Sequence, residues 1–174
     1  MADSKPIKRL AFVMNQNKSG AREVLDRLRT IAQAENVEAK ETFDFPVPEG
    51  FLQGMDACCV IGGDGTFLSA ASESTKWQVP IVGVNRGTLG FLTTYTSEEI
   101  EEIFPSILQG KYSVRSRGLI ECSSHNGEAD IALNDDLVRI HINGESCILG
   151  LRRIEPVVDV LCLGLLYLKH LDDD

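Results

Sequence analysis

The stretch CCVIGGDGTFLSAASES, Cys58 to Ser74, constrains the fold of this chain more than any other. A continuous apolar run, Cys58 to Ile61, passes without a polar spacer into glycines at 62, 63 and 65 around Asp64, and then into small residues compatible with a helix. A strand with one wet face would alternate, and a membrane span needs ~20 apolar residues. A short unbroken run that turns at once into a helix is instead the pattern of a strand buried between two helical layers. The expectation is an α/β layer fold with this glycine loop at the carboxyl end of a parallel strand, where open α/β sheets bind ligands.

The rest of the chain agrees with that reading. Leu10 to Met14 and Pro80 to Val84 are further short apolar runs, and the second also enters a glycine-containing loop. Between them, Val24, Leu25, Leu28, Ile31 and Ala32 recur at helical spacing and form one apolar stripe. FDFPVPEG (Phe43 to Gly50) breaks the periodicity with two prolines and a glycine. Thr96 and Glu99 have the spacing of a capping box, followed by Ile100, Ile103, Phe104 and Ile107 until Gly110. From Tyr112 the texture changes to alternation, and Asn126-Gly127 marks a turn between GLIECSSH and EADIALND. That predicts an antiparallel hairpin joined to the α/β body.

Composition limits the partners. The chain has 174 residues and a formal charge of −9, which argues against nucleic acid or an anionic membrane surface, since both need a basic field. An anionic small ligand would have to be held locally. The cysteine number is odd, Cys58 and Cys59 are adjacent in an apolar run, and no CxxC pair occurs, so a reduced, cytoplasmic setting is expected. No apolar segment of signal-peptide length opens the chain. His125, His141 and His170 are scattered without other ligands at zinc spacing, and no metal-ligating residue is assigned.

At GGDGT the glycines allow a ligand to approach the backbone, and the amide groups entering the helix can face phosphate oxygens. Asp64 is the odd member, because a carboxylate repels phosphate unless a metal lies between them or it takes a proton from an attacking hydroxyl. An isolated GGDG also reads as a tight turn that suits Asp-Gly. The stretch is neither a P-loop nor a GxGxxG dinucleotide loop. A second loop, GVNRGTLGFLT (Gly83 to Thr93), places Asn85, Arg86 and Thr88 among three glycines. Two such loops at adjacent strand ends would form one crevice. A solvated loop arginine is the competing reading for Arg86.

GGDGTFL followed at this distance by GVNRGTLGFLT resembles the N-terminal domain of NAD kinases. The resemblance covers roughly Lys8 to Asp135, and ALND (Ala132 to Asp135) looks like the Asn-acid motif that ends that domain. GGDG also occurs in the related diacylglycerol and sphingosine kinases, so NRGTLGFLT carries the discrimination. The resemblance implies a parallel-sheet, three-layer α/β domain of the NAD kinase and diacylglycerol kinase type. It further implies phosphorylation of the adenosine-ribose 2′-hydroxyl of NAD by ATP or polyphosphate with Mg²⁺. Asp64 would be the general base, while Gly62, Gly63, Gly65 and Thr66 shape the loop. Phe67 matches a ring packed near the nucleotide, or equally a helix-start aromatic pointing into the core. Asn85 and Arg86 fall in the second nucleotide loop. Asn134 and Asp135 would hold NAD, with a strand-end turn as the alternative.

Beyond Asp135 the chain departs from the family, whose larger β-rich domain carries a third, Gly-Ser-Thr-type motif. Residues 136–174 are read as a divergent or truncated remnant of that domain, after an α/β domain over 1–135. Their apolar run VVDVLCLGLLYL (Val157 to Leu168) is too short to span a bilayer and is expected to be buried against the body or a second copy. A homo-oligomer with weakened turnover follows. The competing functions are a catalytically incomplete NAD- or ATP-binding module and a lipid kinase-type domain.

Overall fold

The computed structural model describes residues 5–87, 92–93, 95–123, 129–133, 141–142, 145–146 and 151–162, those beyond Val114 by their backbone alone. In chain order the elements are β1 (Arg9–Met14), α1 (Ala21–Ala34), β2 (Glu38–Thr42), β3 (Ala57–Gly62), α2 (Asp64–Trp77), β4 (Ile81–Asn85) and α3 (Ser97–Leu108). Then follow β5 (Ser113–Ser123), β6 (Ala129–Leu133), the short β7 (His141–Ile142) and β8 (Glu145–Ser146), and β9 (Leu151–Cys162).

β2, β1, β3 and β4 lie side by side in that order, all parallel. Because successive side chains of a strand point to opposite faces, each buried run divides between two cores. Leu10, Phe12 and Met14 of β1, with Cys59 and Ile61 of β3, meet Val24, Leu25 and Leu28 of α1 and Ile100, Phe104 and Ile107 of α3. Ala11, Val13, Cys58 and Val60 meet Phe67, Ala70 and Ala71 of α2 on the other side. The result is the expected three-layer arrangement, with α1 and α3 on one face and α2 on the other. Each fully buried Leu, Ile or Phe in these layers contributes about 1.5–3 kcal/mol.

The chain order within the sheet has one further consequence. From β1 the chain crosses to β2 on one side, and from β3 it crosses to β4 on the other. Right-handed crossovers in opposite directions put their helices on opposite faces, as α1 and α2 are. Between β1 and β3 the connections therefore diverge and leave a gap beyond the strands' carboxyl ends.

The capping box forms as the spacing requires: Thr96 Oγ1 accepts from the Glu99 amide at 3.3 Å, and Glu99 Oε2 from the Thr96 amide at 2.8 Å. It starts α3 at Ser97 and contributes about 1 kcal/mol. The expected hairpin is present as β5 and β6, antiparallel from Leu119 opposite Leu133 to Ser123 opposite Ala129. β9 enters the same sheet between β4 and β5, antiparallel to β5 and parallel to β4 at Ile81 opposite Val160. Val157 to Cys162 of the apolar tail thus lie in a paired strand, and residues 163–174 are outside the described residues. Among the described residues no helix is long and apolar enough to cross a membrane.

Candidate functional site

The gap at the β1 and β3 ends is an open cleft of about 670 Å³. Its floor is the start of α2. Gly63 caps that helix in an extended conformation, and Asp64, Gly65 and Thr66 form its first turn. The cleft is completed by Asn15 and Lys18 from the β1–α1 loop, by Phe45 and Pro46 from the β2–β3 connection, and by Ser69 one turn into α2.

Each wall has a local cause. After Met14 the chain turns because Asn15 Oδ1 accepts the Asn17 amide at 3.0 Å, while the Asn15 amide stays bonded to Ile61 O at 3.1 Å. The β1 loop is thereby tied to β3. The Val47 amide donates to Ser69 Oγ at 3.3 Å and holds the proline-rich connection against α2. Gly62 is buried, and a Cβ there would lie 2.7 Å from Thr66 Cβ, so only glycine lets the first helical turn fold back onto the strand.

Gly63 and Gly65 are different. A Cβ at either meets nothing within 4 Å. Gly63 has φ −111, which any residue adopts, and Gly65 is inside a helix, where glycine costs about 1 kcal/mol relative to alanine. Neither backbone conformation nor packing within the described residues calls for glycine at these two places, and the space their missing side chains leave is the cleft. Asp64 is half-buried, and its Oδ1 accepts the Leu92 amide at 3.1 Å, which fixes the carboxylate and brings the second glycine loop to it. That loop is closed where Tyr95 returns beside β4: the Asn85 amide donates to Tyr95 O at 2.7 Å and the Tyr95 amide to Gly83 O at 3.2 Å.

The family model for the ATP-NAD kinase N-terminal domain matches residues 10–112, which hold β1 to α3 and the whole described cleft. The chain belongs to the NAD kinase family. Among curated relatives, the NAD kinase of Cellvibrio japonicus is 36% identical over 128 residues, 74% of this chain and 42% of that protein. The NAD kinase of Neisseria gonorrhoeae strain FA 1090 is 46% identical over 87 residues, 48% of this chain and 29% of that protein. The chain thus spans less than half the length of these relatives. In fold it is similar to yeast NADH kinase crystallised with NADH, at TM-score 0.60 and 18% identity over 74% of this chain and 47% of that one.

Against the NAD kinase pattern, the structure gathers Gly63, Asp64, Gly65 and Thr66 in one cleft wall and leaves other matched residues out of it. Phe67 is 0% exposed, its ring packed beneath Gly83, where an added Cβ would stand 3.0 Å from Phe67 Cδ2. Of the two readings open for it, the core aromatic is the one observed, because the first helical turn aims position 67 at the sheet. Asn85 is 9% exposed at the end of β4 and is not among the described residues that line the cleft.

Arg86 is not a solvated loop side chain. Its Nε and Nη2 donate to Ser19 O at 3.2 and 2.8 Å, its Nη1 to Ser97 Oγ at 2.8 Å, and its amide to Gly62 O at 2.9 Å. The guanidinium clamps the β1–α1 loop to the start of α3. Asn134 and Asp135 lie outside the described residues, as do Thr88 to Phe91. Asn15, Lys18, Phe45 and Ser69 were not anticipated from the sequence. The one signal for the first two was that NQNKSG follows β1 as GGDG follows β3.

Cys58 and Cys59 take no part. They point to opposite cores, and burial pushes both thiols well above the ordinary value of 9.0. They are packing residues rather than nucleophiles.

Proposed function

We propose that the cleft carries the NAD kinase reaction, transfer of a phosphoryl group from ATP or polyphosphate to the adenosine-ribose 2′-hydroxyl of NAD. The observation that supports it most is the pair Gly63 and Gly65, whose absent side chains leave open space on either side of a half-buried aspartate at a helix start. A phosphate chain can lie against that backbone where any larger residue would stand in its way. Asp64 then takes the hydroxyl proton as the 2′-oxygen forms its bond to phosphorus and the bond to the bridging oxygen breaks, which releases the shortened donor. The bond from the Leu92 amide to Oδ1 keeps the carboxylate oriented as it takes the proton.

Magnesium fits this donor set in one way. No group of three or more His, Cys, Asp or Glu side chains is placed to hold an ion among the described residues. Mg²⁺ in phosphotransfer sites is commonly held by one or two carboxylates together with substrate phosphates and water. The ion would arrive with the donor phosphates, held by their oxygens and by water, and neutralise their charge, with Asp64 reserved for the hydroxyl proton.

The test is NADP formation from NAD with ATP and with polyphosphate, in the chain and in Asp64→Asn. Asparagine keeps an oxygen for the Leu92 amide, so the variant should melt normally and bind NAD within a few-fold, while turnover falls by about 10²-fold or more. Undiminished turnover would leave Asp64 a turn residue. A chain that binds NAD and ATP and forms no NADP would be a binding module instead.

A further inference from the structure

Among the described residues that line the cleft, one carries positive charge. Lys18 lies in the β1–α1 loop, with its amide bonded to Asn15 O at 3.2 Å and its carbonyl accepting the Ala21 amide at 3.1 Å, so its backbone is held at both ends. Its ammonium reaches across to the β4 loop: Nζ is 3.6 Å from where a Cβ on Gly87 would stand. It thus bridges the mouth between the loop that follows β1 and the loop that follows β4.

The ammonium is also uncommitted. Arg9, Arg22, Arg27, Arg29 and Lys76 each have a carboxylate within ion-pair distance, whereas no described carboxylate stands so close to Lys18. Arg86, the cation that the second loop motif offers for ligand binding, is occupied by Ser19 O and Ser97 Oγ. In a chain of net charge −9, this cation offsets the Asp64 carboxylate in the same cleft, so the cleft repels an anion less than the rest of the surface does.

We propose that Lys18, reaching from the loop that Arg86 holds through Ser19 O, directly contacts the oligophosphate chain of the nucleotide bound in this cleft. This rests on the reading of the cleft as a phosphotransfer site and adds the charge that Gly63, Asp64 and Gly65 cannot supply. The shared chemistry is a run of phosphates, found in the ATP triphosphate and in the NAD pyrophosphate.

Calorimetric titration of the 174-residue chain with inorganic tripolyphosphate, ATP, NAD and adenosine separates these cases. Lys18→Ala should weaken tripolyphosphate binding by about tenfold, the usual loss for one charge-assisted contact, and flatten its salt dependence. Lys18→Arg should restore it to within about twofold, since the charge is what matters. Adenosine should bind unchanged, and Lys111→Ala, which removes the same charge elsewhere, should alter nothing. If ATP weakens and NAD does not, Lys18 serves the donor; the reverse assigns it to the NAD pyrophosphate. Equal tripolyphosphate and ATP affinities, with equal NAD affinity, in Lys18→Ala and the unaltered chain would overturn the proposal. So would an unaltered chain that binds neither phosphate ligand. Absence of NADP formation alongside a Lys18-dependent tripolyphosphate site would instead defeat the catalytic reading and leave Lys18 in place.

Discussion

Gly20 and Arg86 form a lock whose strength is open to a double-mutant cycle. Gly20 caps α1 in the left-handed region, at φ 70 and ψ 5, and a Cβ there would overlap Arg86 Nη2 and stand 3.0 Å from Cζ. The guanidinium is long enough to swing aside, so the cost of Gly20→Ala is not the overlap itself but the bonds that Arg86 gives up in moving. Two of those go to one carbonyl and one to a serine hydroxyl, from a half-buried cation in reach of water. Together they are worth about 2 kcal/mol.

Arg86→Ala should therefore cost about 2 kcal/mol. Gly20→Ala should cost about 3 kcal/mol, of which about 1 is the left-handed backbone of a non-glycine residue. In the double variant the arginine bonds can be lost only once, so the total should stay near 3 kcal/mol rather than the roughly 5 that independent sites would give. Urea unfolding followed by circular dichroism, with the slope unchanged between variants, measures all four corners. A coupling below about 0.5 kcal/mol would mean that the two residues do not share these bonds, and the account of Arg86 as a clamp would fall with it.

Phe67→Ala should lower stability by about 3–5 kcal/mol, as for other fully buried rings. Phe67→Leu should cost less and leave NAD affinity within a few-fold; a large loss of affinity in a folded leucine variant would return the ring to the nucleotide. Cys58 and Cys59 should resist a thiol reagent until the chain unfolds, and rapid native labelling would contradict their burial. Their folded pKa values lie above the unfolded ones, so the stability that burial of the neutral thiols contributes is present below pH 9.0 and declines above it. The limiting slope is about 1.4 kcal/mol per pH unit for each thiol, and alkaline denaturation series with and without Cys58→Ala would detect its absence.

How much of this could be seen in the sequence depended on whether a feature was local. The buried strands were legible because a strand covered on both faces must be apolar at every position, and Cys58 to Ile61 is. The start of α3 was legible because a capping box is made within four residues. β2 was not, since EAKET sits at the edge of the sheet with only Thr42 buried, and its backbone pairing leaves no periodic trace. The apolar tail was recognisable as something to be covered, but not as a strand lying between β4 and β5, because pairing partners so far away in sequence leave no mark in the strand itself.

The same division runs through the candidate site. The loop motifs alone identified Gly63, Asp64, Gly65 and Thr66, whose chemistry depends on their own backbone and on a helix start. Which residues stand opposite them was decided by the order β2-β1-β3-β4, which opens the cleft beside β1 and so brings in Lys18 and Asn15. That order also set the direction of each side chain: Arg86 toward Ser19 and Ser97, Phe67 into the core. A sequence specifies what a residue can do from its type and its neighbours along the chain. What faces it is settled only when strands and loops from distant parts of the chain are packed together, since a hydrogen bond or a charge acts over a few ångströms of space whatever the separation along the chain.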